Sequence, residues 1–212
     1  VVLVGGGFAG LATAFALSKT RNPPKIILIE PKDRFIFLPL LYELLSGEIN
    51  VWEVAPSYQS LVEGKGIVLI QDYVVEIDTN QKQVQISSGS QINYSKLVIA
   101  TGSKPNDYGI PGVDKYSLRF QDLIDVELLG QLIKHCKKSS QIPCNLVIVG
   151  AGLTGVELAC KVSDLLGKST IIHLIELAEK VLPQGKAFNQ EQATKALHLR
   201  DVKVHLCTEV IR

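Results

Sequence analysis

The chain contains no methionine, a single tryptophan and only 6% aromatic residues. With no initiator, and with residues 202–212 breaking off in what reads as the middle of an α/β unit, it is read as a piece of a longer protein. No uninterrupted apolar run approaches the length of a membrane-spanning helix, about 18 residues or more. Nothing resembles a secretory leader, although the chain opens inside a strand and a leader could precede it. Neither sign of charge dominates: 22 Lys and Arg against 21 Asp and Glu leave a net charge of +1. No basic block carries interleaved aromatics, which argues against nucleic acid as a partner. The four cysteines, Cys136, Cys144, Cys160 and Cys207, form no C-x-x-C or C-x4-C pair. That spacing argues against a dithiol relay, and it gives neither a zinc nor an iron–sulfur pattern, so no metal site is expected. His135, His173, His198 and His205 are scattered and have no partner in sequence.

What is present is apolar and punctuated by glycine. A hydrophobic content of 46%, 20% charged residues and a mean hydropathy of +0.21 suit a compact α/β protein with buried parallel strands. Residues 1–4 read as a buried strand that runs directly into Gly5-x-Gly7-x-x-Gly10. A helix is predicted over 8–19 and a second strand over 26–29, ending at Glu30. Strand, glycine turn, helix, strand and acid together form the dinucleotide fingerprint in the context it requires. Gly5 permits the tight turn, Gly7 lets backbone approach a pyrophosphate, and Gly10 lets the helix sit close to the sheet. Free N–H groups at the helix start, around Phe8 and Ala9, face the phosphates. Glu30, 25 residues after Gly5, stands where a carboxylate can accept both hydroxyls of an adenosine ribose.

After a polar turn at 31–34, residues 35–47 read as a short apolar entry and a helix, with Pro39 tolerated near its start and Gly47 as its stop. This segment is either a core helix or one that folds back beside the cofactor. Residues 50–63 predict a lid or short helix. Residues 66–94 predict one strand and then a hairpin, with turns at 78–80 and 88–90, as a β crossover within the nucleotide domain. Residues 96–103 form a strand ending in Ala100, Thr101 and Gly102, small residues that let backbone contact a ligand closely. Residues 110–113 make a rigid loop leaving the first domain, and 118–138 are mostly helical, with Leu123, Ile124, Leu128, Leu132 and Ile133 roughly on one side.

The opening pattern then recurs. A strand over 145–149 leads into Gly150-x-Gly152-x-x-Gly155, a helix to about 166, and a strand over 171–175 ending at Glu176, 26 residues after Gly150. Chance would have to assemble five elements twice. Two such cradles imply a duplicated binding module or a redox enzyme passing electrons between two cofactors.

Beyond these patterns, the sequence resembles the two-dinucleotide-binding-domain flavoproteins, and within them the type II, non-proton-pumping NADH:quinone dehydrogenases of cyanobacterial and plastid kind. The matching pieces are residues 4–10, Glu30, Phe37-Leu38-Pro39-Leu40-Leu41-Tyr42, residues 99–103 and residues 150–159. The resemblance implies two Rossmann-like domains, the second inserted into the first: an FAD-binding portion over 1–110, a connection and helix over 111–140, and an incomplete NADH-binding domain over 141–212. It assigns FAD to Gly5, Gly7, Phe8, Ala9, Gly10 and Glu30, with Pro39, Leu40, Ala100, Thr101 and Gly102 near the flavin. It assigns NADH to Gly150, Gly152, Leu153, Thr154, Gly155 and Glu176, whose charge disfavours the 2′-phosphate of NADPH. Leu38, Leu40, Leu41 and Tyr42 are a candidate apolar wall for a lipophilic quinone, or plain core. Glu157 is the candidate catalytic acid, or an acid drawn to the first turn of a helix by its free N–H groups. The implied activity is hydride transfer from NADH to FAD and two electrons onward to a quinone. The implied setting is the cytoplasmic or stromal face of a membrane, held peripherally by a C-terminal part not in this chain, and a homodimer is compatible with it. The family's later strand ending in Gly-Asp, which completes the flavin site, does not occur before Arg212, so the chain alone is expected to be inactive. A soluble reductase serving a small redox protein, and a non-catalytic nucleotide-binding module, are the alternatives.

Overall fold

The computed structural model describes residues 1–138, 144–167 and 170–211. The chain divides into two compact units, residues 1–37 with 50–105 and residues 38–49 with 106–212. The sequence-based limit between 140 and 141 lies outside the described residues.

The first unit is built on a parallel sheet of order β3-β2-β1-β7, made by β1 (Val2–Val4), β2 (Ile26–Ile29), β3 (Ile67–Ile70) and β7 (Leu97–Ile99). Val2 pairs with both Ile27 and Leu97, which puts β1 in the interior of the sheet. All three residues of β1 are buried because both faces of the sheet are covered, as parallel sheets require. Leu3 and Leu28 face helices α1 (Phe8–Ser18) and α4 (Tyr58–Val62), in a cluster with Leu11, Ala14 and Val62. Val2, Val4 and Ile29 face the other way, onto Val84 and Ile86. Those two belong to an antiparallel sheet of β4 (Val74–Asp78), β5 (Gln83–Ile86) and β6 (Gln91–Asn93). The strand and hairpin expected over 66–94 are β3 and a three-stranded meander, the short segment after Ser90 adding the meander's third strand. Helix α3 (Val51–Val54) is capped by Asn50 and Glu53, each side chain serving the other's backbone.

The second unit contains the parallel sheet β10-β9-β8, from β8 (Cys144–Val149), β9 (Thr170–Ile175) and β10 (Lys203–His205). Ile148, Ile172 and Leu174 pack into one cluster with Leu129 and Ile133 of α6 (Leu123–Lys138), Val156, Ala159 and Val162 of α7 (Leu153–Leu166), and Leu197 of α8 (Ala187–Leu199). The buried stripe of α6 is Val126, Leu129, Ile133 and Cys136, which shares only Ile133 with the expected face, Leu132 packing partly buried beside it. Ile124 and Leu128 are 67% and 41% exposed, and the observed residues recur at helical spacing. Residues 110–112 form the expected loop, and a short helix α5 (Val113–Tyr116) follows it.

Residues 35–47 resolve into a single turn of 3-10 helix at Leu38–Leu40 and helix α2 (Leu41–Ser46). Gly47 closes α2 in the left-handed conformation, φ 78°, as its position predicted. From Leu38 on the segment belongs to the second unit, where Leu45 packs on the main cluster and Lys161 of α7 reaches Glu48 at 2.6 Å.

Candidate functional site

The two glycine turns repeat each other bond for bond. In the first unit the N–H of Gly5 donates to the Ile29 carbonyl at 2.9 Å, and that of Gly150 donates to the Ile175 carbonyl at 2.7 Å. Gly5 and Gly150 share φ +97°, a conformation open to glycine. A Cβ on Gly10 would fall 1.9 Å from the Gly5 carbonyl oxygen, and one on Gly155 would fall 1.8 Å from that of Gly150. The third glycine of each motif therefore makes room for the turn's own carbonyl, rather than only for the sheet as the sequence suggested. The middle glycines differ: a Cβ on Gly7 or Gly152 would meet nothing within 4 Å. Their open side is where a phosphate can approach.

The acids at the strand ends are fastened to the turns. Glu30 Oε2 accepts the Gly6 N–H at 2.6 Å and Oε1 accepts the Lys32 N–H at 3.0 Å. In the second unit Glu176 Oε2 accepts the Ala151 N–H at 2.7 Å and Oε1 accepts the Ala178 N–H at 2.9 Å. An ionised carboxylate has about four acceptor positions. Two are used here, and the others can take a ribose diol. Glu30 is 8% exposed, and each of its oxygens is held. Helices α1 and α7 start at Gly7 and Gly152 with no side-chain cap and no acid in the first turn. Their first N–H groups stay available to an anion. Both cradles therefore fit a dinucleotide: an open pyrophosphate position, uncapped donors and a preset carboxylate.

The copies differ at Gly6, where the second has Ala151, as well as at Phe8 and Ala9, where it has Leu153 and Thr154. A Cβ on Gly6 would lie 2.6 Å from the Tyr58 ring, whose hydroxyl donates to the Gly6 carbonyl at 2.9 Å. Ala151 fills the equivalent place with its own buried methyl. Burial, then the Glu30 carboxylate, push the Tyr58 phenol well above its ordinary range. Sequence reasoning missed Tyr58. The signal was Gly6, the middle of three consecutive glycines, against alanine in the second copy.

Phe8, first residue of α1, sits edge-on to Phe35 at 5.1 Å and Phe37 at 5.3 Å, leaving an aromatic wall beside the first cradle. Ala9 is exposed next to it. The Ala100 N–H donates to the Val4 carbonyl at 2.7 Å, and the Ala100 carbonyl would touch a Cβ on Gly5 at 2.4 Å. Ala100 thus packs on the first turn, while Thr101 and Gly102 follow it exposed, Gly102 with φ 72°. Pro39 and Leu40 are exposed in the second unit. Leu41 is 1% exposed and cannot line an apolar wall, which corrects that expectation. Leu38 and Leu40 remain 44% and 36% exposed. In the second cradle Leu153 is 69% exposed at the helix start and Thr154 follows it in the open.

Glu157 is the fifth residue of α7, beyond its first turn, and exposed. Attraction to free N–H groups does not account for it there. Tyr42 stands beside it: its hydroxyl donates to the Thr154 carbonyl at 3.4 Å, and its ring lies on Phe120 at 5.0 Å. Burial first, then the Glu157 and Glu43 carboxylates, push the Tyr42 phenol up to about 12.

The scattered cysteines and histidines acquire neighbours in the fold. Burial, then the adjacent Cys144 thiol, push Cys136 up to about 11, which makes it a poor nucleophile. All four cysteines are free. His173 Nδ1 lies 3.0 Å from His205 Nε2, and His173 Nε2 lies 3.2 Å from Asn145 Oδ1, a chain across the three strands of the second sheet. Among the described residues no group of three or more His, Cys, Asp or Glu could hold a metal ion.

Comparison with known proteins places this geometry. Demethylphylloquinone reductase NdbB of Synechocystis is 34% identical over 99% of this chain and 54% of its own length. The alternative NAD(P)H-ubiquinone oxidoreductase C1 of Arabidopsis thaliana is 35% identical over 97% of the chain and 44% of its own length. The chain spans about half the length of these curated relatives. Among solved structures, NDH2 from Plasmodium falciparum in complex with NADH superposes with a TM-score of 0.82 at 23% identity, over 97% of this chain and 47% of that one. That likeness supports the mixed α/β architecture with two Rossmann-like regions. With its residues 1–212 matched end to end by the family's sequence pattern, the chain belongs to the pyridine nucleotide-disulphide oxidoreductases.

Proposed function

We propose that this chain carries the FAD-binding and NADH-binding portions of a type II NADH:quinone oxidoreductase. The observation that carries the reading is the duplicated cradle, in which Glu30 and Glu176 each accept one turn N–H and one N–H from the following loop. The first unit is assigned FAD, with Gly7 open to the pyrophosphate and Glu30 receiving the ribose. When bound, FAD supplies the electron relay, accepting a hydride from NADH and passing two electrons to a quinone. The second unit is assigned NADH. Its α7 N-terminus takes the pyrophosphate, and the Glu176 carboxylate takes the ribose hydroxyls and repels a 2′-phosphate. A quinone that gains two electrons also gains two protons. Glu157 is the group proposed to hand one over and regain it from water. Cysteine has no part in this scheme, in keeping with the high pKa of Cys136.

Two of the relatives are named as quinone reductases, one for demethylphylloquinone and one for ubiquinone, which favours a lipophilic quinone as acceptor. Such an acceptor is met at a membrane, so peripheral attachment at the cytoplasmic or stromal face, as a homodimer, belongs to the same proposal. Among the described residues no helix is long and apolar enough to cross a membrane. The full-length protein, purified with its flavin, is expected to oxidise NADH faster than NADPH and to reduce a lipophilic quinone. A colourless protein that stays colourless when supplied with FAD overturns the reading. Turnover with a ferredoxin-like acceptor and none with quinone replaces the quinone by a small redox protein.

A further inference from the structure

Helix α2 is fastened to α7 at two points. At its start, the Tyr42 hydroxyl donates to the Thr154 carbonyl at 3.4 Å. Just past its end, Glu48 pairs with Lys161 at 2.6 Å. Glu157 lies between these anchors, three residues after Thr154 and four before Lys161, a spacing that places all three on one helix face. The Tyr42 ring rests on Phe120, with centroids 5.0 Å apart and planes tilted 37°. At 3.4 Å the bond to Thr154 is long for a hydroxyl donor. That carbonyl also sits within a helix, where the main chain already uses it. The phenol proton is therefore weakly committed, and the Glu157 carboxylate, three residues on along the same helix face, also acts on it. Burial and the two neighbouring carboxylates hold the phenol protonated, so towards an ionised Glu157 it is the donor.

We propose that Tyr42 is a positioning residue for Glu157, its hydroxyl orienting the carboxylate that exchanges a proton with the quinone. The inference rests on the assignment of Glu157 above. Tyr42 forms no bond to quinone and its own proton stays on the phenol oxygen. When Glu157 is ionised the hydroxyl turns to it; when Glu157 carries the proton the hydroxyl returns to Thr154.

The test is a double-mutant cycle in the full-length flavin-loaded enzyme, using Y42F, E157Q and the pair. Y42F keeps the ring on Phe120 and removes one hydrogen bond. It should lower kcat with a soluble quinone about three- to tenfold, the usual worth of such a bond. Flavin reduction by NADH, followed by stopped flow, and the KM for NADH should not move. In the E157Q background Y42F should cost nothing further. If E157Q is slow while Y42F is normal, or if the two losses multiply, Tyr42 does not act through Glu157 and the inference fails with the Glu157 assignment intact. If E157Q turns over normally, both fall. Should Y42F not load flavin, F120L, which keeps the hydroxyl and removes its platform, goes through the same cycle. Additive losses there overturn the inference.

Discussion

Replacing Gly152 and Gly155 by alanine, one at a time, separates binding from folding within a single turn. At Gly152 the backbone has φ −70° and ψ −175°, which alanine adopts without strain, and the added methyl meets nothing within 4 Å. Exchanging glycine for alanine at a compatible position restricts the unfolded chain and is worth about 0.4–1 kcal/mol of stability. G152A should thus melt no lower than the parent. The same methyl occupies the space through which a pyrophosphate reaches the uncapped N–H groups of α7. Pushing the phosphates outward weakens an anion–helix interaction of about 1–2 kcal/mol, so the Kd for NADH should rise roughly tenfold. Gly155 behaves in the opposite way. Its Cβ would lie 1.8 Å from the Gly150 carbonyl oxygen, a backbone atom already committed to the turn. Helix and turn must separate, an overpacking cost of about 1–3 kcal/mol. At about 2–4 °C per kcal/mol for a domain of this size, G155A should lower Tm measurably by calorimetry. NADH titration of both variants completes the comparison. G152A with unchanged NADH affinity, or G155A with an unchanged Tm, would refute the roles given to the two glycines.

Two further outcomes follow from the first unit. Y58F removes the hydroxyl that donates to the buried Gly6 carbonyl, and should cost about 0.5–1.5 kcal/mol in denaturant unfolding with the ring packing intact. A variant as stable as the parent would deny that bond its role. Hydrogen bonds from Ser87 and Ser88 hold the Asp72 carboxyl at about 2, below its ordinary 3.8. A depressed carboxyl contributes stability above its unfolded pKa and loses it as pH falls through the folded one. D72N should therefore flatten the acid side of the stability profile between about pH 4 and pH 2 relative to the parent. Parallel curves would remove Asp72 from the acid response.

Much of this architecture was legible because its signals are local. Strand β2 falls on the residues expected, and α7 ends at the expected Leu166, since apolar periodicity and glycine punctuation fix both. The cradles were legible for the same reason: five elements in fixed order leave few alternatives. What escaped was non-local. The run of glycines at Gly6 signals a close approach but not its partner, Tyr58, 52 residues later. The stripe on α6 was misjudged by counting leucines. Cys136 and Val126 are the residues that continue the 3.6-residue period, and Ile124 faces water. Tyr42 was read as part of a wall, and its partner Thr154 is 112 residues away. Glu157 was placed in a first turn, and it is the fifth residue of α7, beyond that turn. The His173–His205 contact was invisible because it depends on the register of β9 with β10.

The strand-end acid in the second unit has a consequence for anyone wishing to retarget this protein to a phosphorylated coenzyme. Glu176 is both the group that would discriminate against the extra phosphate and the peg on which two loop amides hang. Exchanging it for a neutral or basic side chain removes the repulsion and, in the same stroke, strands those amides without an acceptor. A successful redesign must supply a substitute oxygen for the Ala151 and Ala178 amides, and single substitutions at this position should slacken the cradle before they widen its tastes.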